Sequence, residues 1–492
     1  MKIKELLKNL KVEKVVGNTA LEIKGISDDS RRVKPGYLFV ALKGERYDGH
    51  NFISEAISKG ITALVVEKEI NFPFPLWIKV ENSRKFLSFL AHRFYGEPTQ
   101  RLKIIGITGT NGKTTTSNII SHLLSMRGEK VGRIGTIHYR WGDRVLPASL
   151  TTPTPLTLFE LLSSMKNEGI CSVVMEISSH SLTLGRVEAA LFDSAIFTNL
   201  THDHLDFHSS MEEYFRAKLR LLHLLKKSKK THRVAIFNLD DPYFSRISYE
   251  EGITFKSFGK KKESNIRVVR FLSEWEGIHF TVLEDGERKE NLFLPLAGEF
   301  NLYNALASIT WARAEGMGWE EIRKGLQSVE KVPGRFEVIE RNGIRVVVDY
   351  AHTPDALENV LRSARKLTPG KLITLFGCGG ERDRDKRPLM GKISSFLSDI
   401  IIITSDNPRG EDPLQIIREI ENGIENKKYY TIPDREEAIY KAISIAEPGD
   451  TIIVAGKGHE NYQIWKDVII PFSDQDIVRK ALKSRFLGKV KV

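Results

Sequence analysis

Lys103-Ile104-Ile105-Gly106-Ile107-Thr108-Gly109-Thr110-Asn111-Gly112-Lys113-Thr114-Thr115-Thr116 is the stretch on which the reading of this chain turns. Ile104, Ile105 and Ile107 form a short apolar run of buried-strand type, and Thr108–Gly112 is a glycine-rich turn. From Lys113 onward, Ile119, Ile120, Leu123 and Leu124 recur at helical spacing. A strand, a turn and a helix start in that order aim backbone N–H groups and the positive end of a helix at a phosphate. In such a loop (Gly109, Thr110, Asn111, Gly112, Lys113, Thr114, Thr115) the lysine reaches the β- and γ-phosphates of a nucleotide, and the hydroxyl of Thr114 sits on Mg²⁺. The spacing departs from the commonest phosphate loop, which would put glycine at Ile107. A tight turn with a solvated lysine is the plainer reading of the same residues.

The 492 residues are too many for one core and suggest about three domains. Charged residues make up 28% and hydrophobic ones 41%, ordinary values for a soluble globular protein. No apolar run reaches the roughly 20 residues of a membrane helix. The N-terminus Met1-Lys2-Ile3-Lys4-Glu5 has no apolar secretory core, so a cytoplasmic protein without membrane attachment is expected. Cys171 and Cys378 are far apart and provide neither a disulfide framework nor a zinc ribbon. The net charge of +11 is spread along the chain and accompanies no nucleic-acid motif, which favours polyanionic small molecules over nucleic acid as partners.

Residues 1–98 read as a small α/β domain, with strands at Tyr37–Leu42 and Ala63–Val66, a helix between them at Phe52–Lys59, and Glu97-Pro98-Thr99 as a linker. Residues 99–331 begin with the glycine loop and continue through apolar strands at Ser172–Met175, Ser194–Phe197 and Val234–Phe237. Strands alternating with helices predict a mostly parallel sheet that binds ligands at its carboxyl ends. Two of these strands run into Glu176-Ile177-Ser178-Ser179-His180 and Thr198-Asn199-Leu200-Thr201-His202-Asp203-His204. If they flank the loop strand, a carboxylate and imidazoles meet the phosphates. Glu176 is a suitable Mg²⁺ ligand, whereas His202, His204 and His208 alone would suggest a zinc or di-metal hydrolase. Asn301 and Asn304 share one face of a helix and either bracket a nucleotide or cap the helix.

Residues 332–492 open on Val332-Pro333-Gly334-Arg335 and contain four strands, each running into a polar loop. Those loops are Asp349-Tyr350-Ala351-His352-Thr353-Pro354-Asp355, Gly377–Asp383, Thr404–Arg409 and Ala455–Glu460. This is the pattern of a doubly wound sheet with its ligand edge loaded. Arg382 and Arg409 together point to bidentate carboxylate recognition.

The ordered set from Thr108 to His352, with the Glu176, Ser178–His180, Thr198–Asp206, Asn301/Asn304 and Arg335 motifs between, resembles the Mur ligase family over essentially the whole chain. The resemblance implies three α/β domains: an N-terminal UDP-binding domain, a central phosphate-loop ATPase-like domain and a C-terminal Rossmann-like domain. It implies ATP as substrate and two Mg²⁺ ions, with Lys113, Glu176, His204 and Lys218 as the catalytic set. Lys218, unremarkable on its own, stands in the Tyr-x-x-Ala-Lys context of the lysine that this family carbamylates, which would make it an oxygen ligand beside Thr114, Glu176 and His204. Asn301, Asn304, Arg335, Asp349 and His352 would complete the ATP site. Ser30, Glu45, Arg46, Tyr47, Thr151, Thr152, Ser178 and Arg186 would hold UDP-N-acetylmuramoyl-L-alanyl-D-glutamate; Leu184 stands where some relatives have a glutamine that helps hold it.

Arg382, Asp406, Asn407, Pro408, Arg409, Gly456 and Glu460 would take the amino acid. The Asp-Asn-Pro-Arg run implies meso-2,6-diaminopimelate, whose distal carboxylate an arginine can clamp and which lysine lacks. The implied reaction is amide formation through an acyl phosphate by a cytoplasmic monomer. A lysine-adding relative, a folylpolyglutamate synthase-like ligase, a metal phosphohydrolase and a nucleic-acid-stimulated ATPase are the alternatives.

Overall fold

The computed structural model describes residues 1–44, 47–248 and 250–487, so Glu45 and Arg46 lie outside the described residues. Three large sheets run along the chain, with a separate two-stranded hairpin of Tyr462–Trp465 and Val468–Pro471. The first has five strands in the order Lys14–Gly17, Leu76–Lys79, Ala63–Val66, Tyr37–Val40, Gly25–Ser27. The second has eleven, and the third six, ordered Glu337–Arg341, Ile344–Asp349, Thr451–Ala455, Leu372–Phe376, Ile400–Ile403, Tyr429–Thr431. Among the described residues no helix is long and apolar enough to cross a membrane.

The glycine-loop strand Lys103–Thr108 lies in the middle of the eleven-stranded sheet, parallel to Ser172–Glu176 on one side and Ser194–Phe197 on the other. Its side chains alternate between two cores, as a strand buried on both faces requires. Ile104 faces the cluster that holds Phe192 and Leu221, and Ile105 and Ile107 face the one that holds Ile119, Leu123 and Leu306. The register pairs Glu176 with Ile107 and Phe197 with Thr108, so both neighbouring strands end level with the start of the loop.

The sheet is parallel only in its centre. Antiparallel wings extend it on both sides, through Val131–Ile134, His138–Trp141 and Arg144–Pro147 at one edge and Ile266–Ser273, Ile278–Glu284 and Arg288–Leu294 at the other. Expecting a mostly parallel sheet therefore holds for the ligand-bearing core and misses these hairpins. Hairpins close locally and need no crossover helix, so the strand–helix alternation does not announce them.

Glu97-Pro98-Thr99 is a packed joint rather than a loose linker. Pro98–Gln100 forms a 3₁₀ turn, and buried Thr99 exchanges hydrogen bonds with His92 (2.8 Å) and the Leu191 amide (3.2 Å).

The third sheet is anchored by a fully buried ion pair. Arg435 donates to both carboxylate oxygens of Asp474 at 2.8 Å and to the Ala455 carbonyl at 2.9 Å. Breaking such a pair leaves a charge without a partner in a dry interior. Asp474→Ala is expected to destabilise the C-terminal unit by about 3–5 kcal/mol, seen as a lower denaturation midpoint.

Candidate functional site

The loop Thr108–Gly112 turns sharply into the helix Lys113–Met126, whose N-cap, Gly112, has φ +86°. Gly109 is required for contact as well as for conformation. Its φ is +149°, and a Cβ there would lie 1.8 Å from the Thr198 hydroxyl. That hydroxyl instead donates to the Asn111 carbonyl at 2.6 Å, and the Asn111 amide donates to the Asn199 side chain at 2.9 Å. The strand end at Thr198-Asn199 thus shapes the loop from one side.

Glu176 shapes it from the other side. It is 1% exposed and accepts hydrogen bonds from Thr114 Oγ1 (2.9 Å), Thr136 Oγ1 (2.8 Å) and the Thr136 amide (3.1 Å). No Lys, Arg or His pairs with it among the described residues. A buried carboxylate held only by hydroxyls and an amide, next to the loop threonine, is a hard oxygen site of the kind Mg²⁺ prefers. Thr136 was invisible in the sequence because it lies on no motif; only the parallel pairing of Val131–Ile134 with Ser172–Glu176 brings it to Glu176.

Lys113 and Lys218 converge. Lys113 Nζ donates to the carbonyls of Gly109 (2.8 Å) and Thr110 (2.9 Å), and Lys218 Nζ donates to the same Gly109 carbonyl at 2.9 Å. Lys218 is 1% exposed and lies over the Tyr214 ring. Burial, reinforced by the Lys113 cation, drives its amine pKa well below the usual lysine range; nearby Asp203 opposes this only in part. Burial also lowers Lys113, with Glu176 and Asp203 pulling the other way.

The three histidines of the polar loop do not form a metal set. His202 faces Asp383 (3.4 Å), His204 faces Asp203 (3.3 Å), and His208 packs on Tyr214. Among the described residues no group of three or more His, Cys, Asp or Glu is placed to hold a metal ion, and the geometry does not favour the hydrolase alternative. His204 has φ 56°, and burial lowers its pKa to about 3, so it offers a neutral imidazole. Asp203, although buried, stays below the usual carboxylate range because His204, His352, Lys386 and Lys113 surround it.

Asn301 and Asn304 do not cap their helix. Both are buried inside Phe300–Ala314, where Asn301 donates to the Ala297 carbonyl (2.7 Å) and Asn304 to Asn301 Oδ1 (2.9 Å). Asn304 Oδ1 lies so close to the loop that a Cβ on Gly112 would be 2.2 Å from it.

The C-terminal unit reaches the loop directly. Arg335 Nη2 donates to Thr114 Oγ1 at 3.2 Å, and its guanidinium lies over the Tyr350 ring. Asp349, the last residue of its strand, accepts from the Phe336 (2.6 Å) and Ala351 (2.7 Å) amides; burial raises its pKa to about 6 although Arg335 opposes this. His352 is fixed by the Tyr350 carbonyl at 2.8 Å. Asp355, which follows in the same polar run, accepts from Asn111 Nδ2 (2.9 Å) and Thr201 Oγ1 (3.1 Å) and so fastens the loop to the first turn of Pro354–Leu367.

Thr151, Thr152, Ser178 and Arg186 gather at the Glu176 end of the strand. Thr136 and Thr151 share a hydroxyl contact (3.1 Å), Thr152 Oγ1 donates to the Glu176 carbonyl (2.8 Å), the Ser178 amide donates to Thr152 (3.0 Å), and Arg186 Nη1 donates to the Thr152 carbonyl (3.0 Å). The Arg186 loop rests on the N-terminal unit through Ser88, which donates to the Arg186 carbonyl at 3.2 Å. Ser30 is held by Glu55 (2.7 Å) within its own unit, and Tyr47 is 72% exposed; neither contacts the four residues above.

The remaining residues line the far edge of the C-terminal sheet. Arg409 has φ 51°, its backbone is clamped to the Tyr462–Pro471 hairpin by bonds to Ile464 and Lys466, and its side chain donates to the Gly380 carbonyl (2.8 Å). Arg382 is exposed beside it, with Gly379 between the two. Gly456, φ +114°, leaves room for Asp406, whose Oδ2 would be 2.5 Å from a Cβ. Asn407 donates to Glu460 Oε2 at 2.9 Å, and Pro408 belongs to the same loop.

The site is a phosphate loop flanked by a carboxylate strand and a polar strand and contacted by an arginine from a second α/β unit. The chain belongs to the Mur ligase family. Models of the family's catalytic domain, its middle domain and its glutamate ligase domain match residues 22–95, 107–312 and 334–458. The UDP-N-acetylmuramoyl-L-alanyl-D-glutamate–2,6-diaminopimelate ligase of Aquifex aeolicus is 47% identical over 94% of both chains. The Clostridium tetani protein of the same name is 44% identical over 99% of this chain and 100% of its own. A solved structure of a ligase with this name superposes with a TM-score of 0.70 at 30% identity, covering 99% of each chain. The MurF ligase of Thermotoga maritima in complex with ADP shares the fold, with a TM-score of 0.65 at 22% identity over 94% of this chain and 99% of that one.

Proposed function

We propose that this chain joins meso-2,6-diaminopimelate to UDP-N-acetylmuramoyl-L-alanyl-D-glutamate at the expense of ATP, as an ADP-forming ligase of peptidoglycan precursor synthesis that acts as a cytoplasmic monomer. The observation that carries the reading is the junction of Thr114 with Glu176 and with Arg335, which joins phosphate loop, carboxylate strand and C-terminal unit at one point. The relatives named for this reaction, aligned over nearly the whole chain, support the choice of substrates. Residues 1–98 would take the UDP end, residues 99–331 ATP, and residues 332–492 the amino acid.

In this reading Lys113 and the loop amides 109–115 hold the triphosphate, while Asn301, Asn304, Arg335, Asp349 and His352 surround the rest of the nucleotide. Thr114, Glu176, His204 and Lys218 as its carbamate would hold two Mg²⁺ ions, which supply charge neutralisation for the transferred phosphoryl group. Thr151, Thr152, Ser178 and Arg186 present the D-glutamyl carboxylate to it, with Ser30, Glu45, Arg46 and Tyr47 toward the uridine. That carboxylate attacks the γ-phosphoryl group, ADP leaves, and the acyl phosphate is attacked by the amine of diaminopimelate with loss of phosphate. No protein nucleophile is needed; positioning and charge compensation do the work. The contacts of Asp355 and Arg335 with the loop support this reading, in which closure of the C-terminal unit would shield the acyl phosphate from water.

Phosphate release tests the assignment. Turnover that requires both the UDP-dipeptide and diaminopimelate supports it, and equal turnover with lysine would overturn the choice of amino acid. Arg409→Ala is expected to raise KM for diaminopimelate by about 10²-fold, the loss of a charged bidentate contact, with little change in KM for ATP.

A further inference from the structure

Lys457, between Gly456 and Glu460 in the Ala455–Glu460 loop, is one of the most buried cations in the protein. Its side chain is 0% exposed. Nζ donates to Asn407 Oδ1 and to Glu460 Oε2, both at 3.0 Å, and lies over the Tyr462 ring. Asn407 Nδ2 donates to the same Glu460 oxygen at 2.9 Å, and the Ile464 amide donates to Asn407 Oδ1 at 3.1 Å. Every polar atom of this triad is therefore engaged except Glu460 Oε1, and the Glu460 side chain keeps 16% of its surface open.

The charges around this point do not cancel by accident of surface placement. Lys457 neutralises Glu460 at contact distance, and Arg435 is already taken up by Asp474. Facing the Gly379–Gly456 edge are Asp406, Arg409 and Arg382, with the Glu381 carboxylate close by on the Arg409–Gly410 side. With Glu460 compensated by Lys457, its pull on a bare ammonium is weakened, while the two guanidinia still offer partners to a carboxylate. A ligand end that brings an ammonium alone finds Glu460 already neutralised and leaves the arginines without an anion. One that brings an ammonium together with a carboxylate gives Glu460 Oε1 its hydrogen bond and the arginines their anion.

We infer that Lys457 is a positioning residue that sets the amino-acid preference of this site, by fixing Glu460 with a single free oxygen and cancelling its charge so that a zwitterionic side-chain end is selected over a bare ammonium. The inference rests on the amino-acid site proposed above. Removal of the cation leaves Glu460 an uncompensated anion, which attracts the ammonium of lysine as readily as that of diaminopimelate.

The test compares kcat and KM for meso-diaminopimelate and for lysine in the wild type, Lys457→Met, Lys457→Gln and Lys457→Arg. The Met and Gln variants are expected to lose at least about tenfold in the ratio of kcat/KM for diaminopimelate over lysine, mainly through the two KM values, while KM for ATP and for the UDP-dipeptide stays put. Lys457→Arg, which keeps the charge, is expected to keep most of the ratio. If Lys457→Met does not fold, the polar Gln variant, whose amide can still donate to Asn407, carries the comparison. Activity that falls equally for both amino acids, or a ratio that is unchanged, would show that Lys457 is a packing element only and overturn the inference. Wild-type protein that releases no phosphate with diaminopimelate would overturn the functional reading instead, and the Lys457 inference with it.

Discussion

Lys113→Ala is expected to lower kcat for ATP-dependent amide formation by about 10³-fold or more, because the loop then lacks its cation at the phosphoryl group being transferred. The fold should survive the change. Lys113 sits at the first position of its helix, and its hydrogen bonds go to two carbonyls of its own loop. Burial presses the Lys113 ammonium toward neutrality, and the approach of a polyanion pushes the other way, so nucleotide binding and the charge on Lys113 are coupled. Lys113→Arg should recover little: a guanidinium is larger, and the space is bounded by the Gly109 and Thr110 carbonyls. Steady-state phosphate release, with calorimetric ATP binding as a second readout, separates a lost catalytic contact from a lost binding contact. Near-wild-type turnover of Lys113→Ala would remove the loop from the chemistry.

Lys218→Ala is expected to be nearly as damaging, by about 10²–10³-fold in kcat. An ordinary lysine would be fully charged at neutral pH, and a charged lysine does not react with carbon dioxide. Lys218 differs because burial and the neighbouring Lys113 hold its amine well below that range, so that it is available as a nucleophile. The neutral amine can bond to the carbon of carbon dioxide and release a proton, which converts it into an oxygen anion beside the Gly109 carbonyl of the loop. The pH dependence follows in sign. As pH falls, the amine is protonated and the carbamate reverts to amine and carbon dioxide, so activity should decline on the acid side and recover with added bicarbonate. In Lys218→Ala a small carboxylate such as formate should restore part of the rate. Lys218→Arg cannot form the carbamate and should stay inactive. Intact-mass analysis under mildly alkaline conditions should show the added carbon dioxide on the wild type alone. Full activity in Lys218→Arg would contradict the assignment.

The parts of this site that were legible in the sequence are those built locally. The glycine loop reads directly because strand, turn and helix start are contiguous, and Asp349, Arg409 and Glu460 stand out because each follows an apolar strand. What the sequence could not show is what lies beside what. Glu176 and Thr198 flank the loop only because Ser172–Glu176 and Ser194–Phe197 pair on opposite sides of Lys103–Thr108, an order set by crossover connections and not by sequence distance. Thr136 reaches Glu176 from the turn after Val131–Ile134, the strand parallel to Ser172–Glu176, and carries no recognisable motif. Asp355 was in view as part of a polar run, but its link to Asn111 spans two separate sheets. Asn301 and Asn304 were open between capping and ligand roles, and their burial inside the helix, against Gly112, removes the capping role. The sequence marks Glu460 only as a partner for substrate. Half of its hydrogen-bonding capacity is already committed to Lys457 and Asn407, which a one-dimensional pattern does not reveal.

Transfer of an oxygen atom is the most direct test of the proposed acyl phosphate. The D-glutamyl carboxylate of the UDP-dipeptide can be labelled with a heavy oxygen isotope and turned over with ATP and meso-diaminopimelate, and the released phosphate analysed by mass spectrometry. One labelled oxygen per phosphate is expected, since the carboxylate that attacks the γ-phosphoryl group leaves its oxygen on it when the amine displaces phosphate. Unlabelled phosphate formed in step with the amide product would contradict the account.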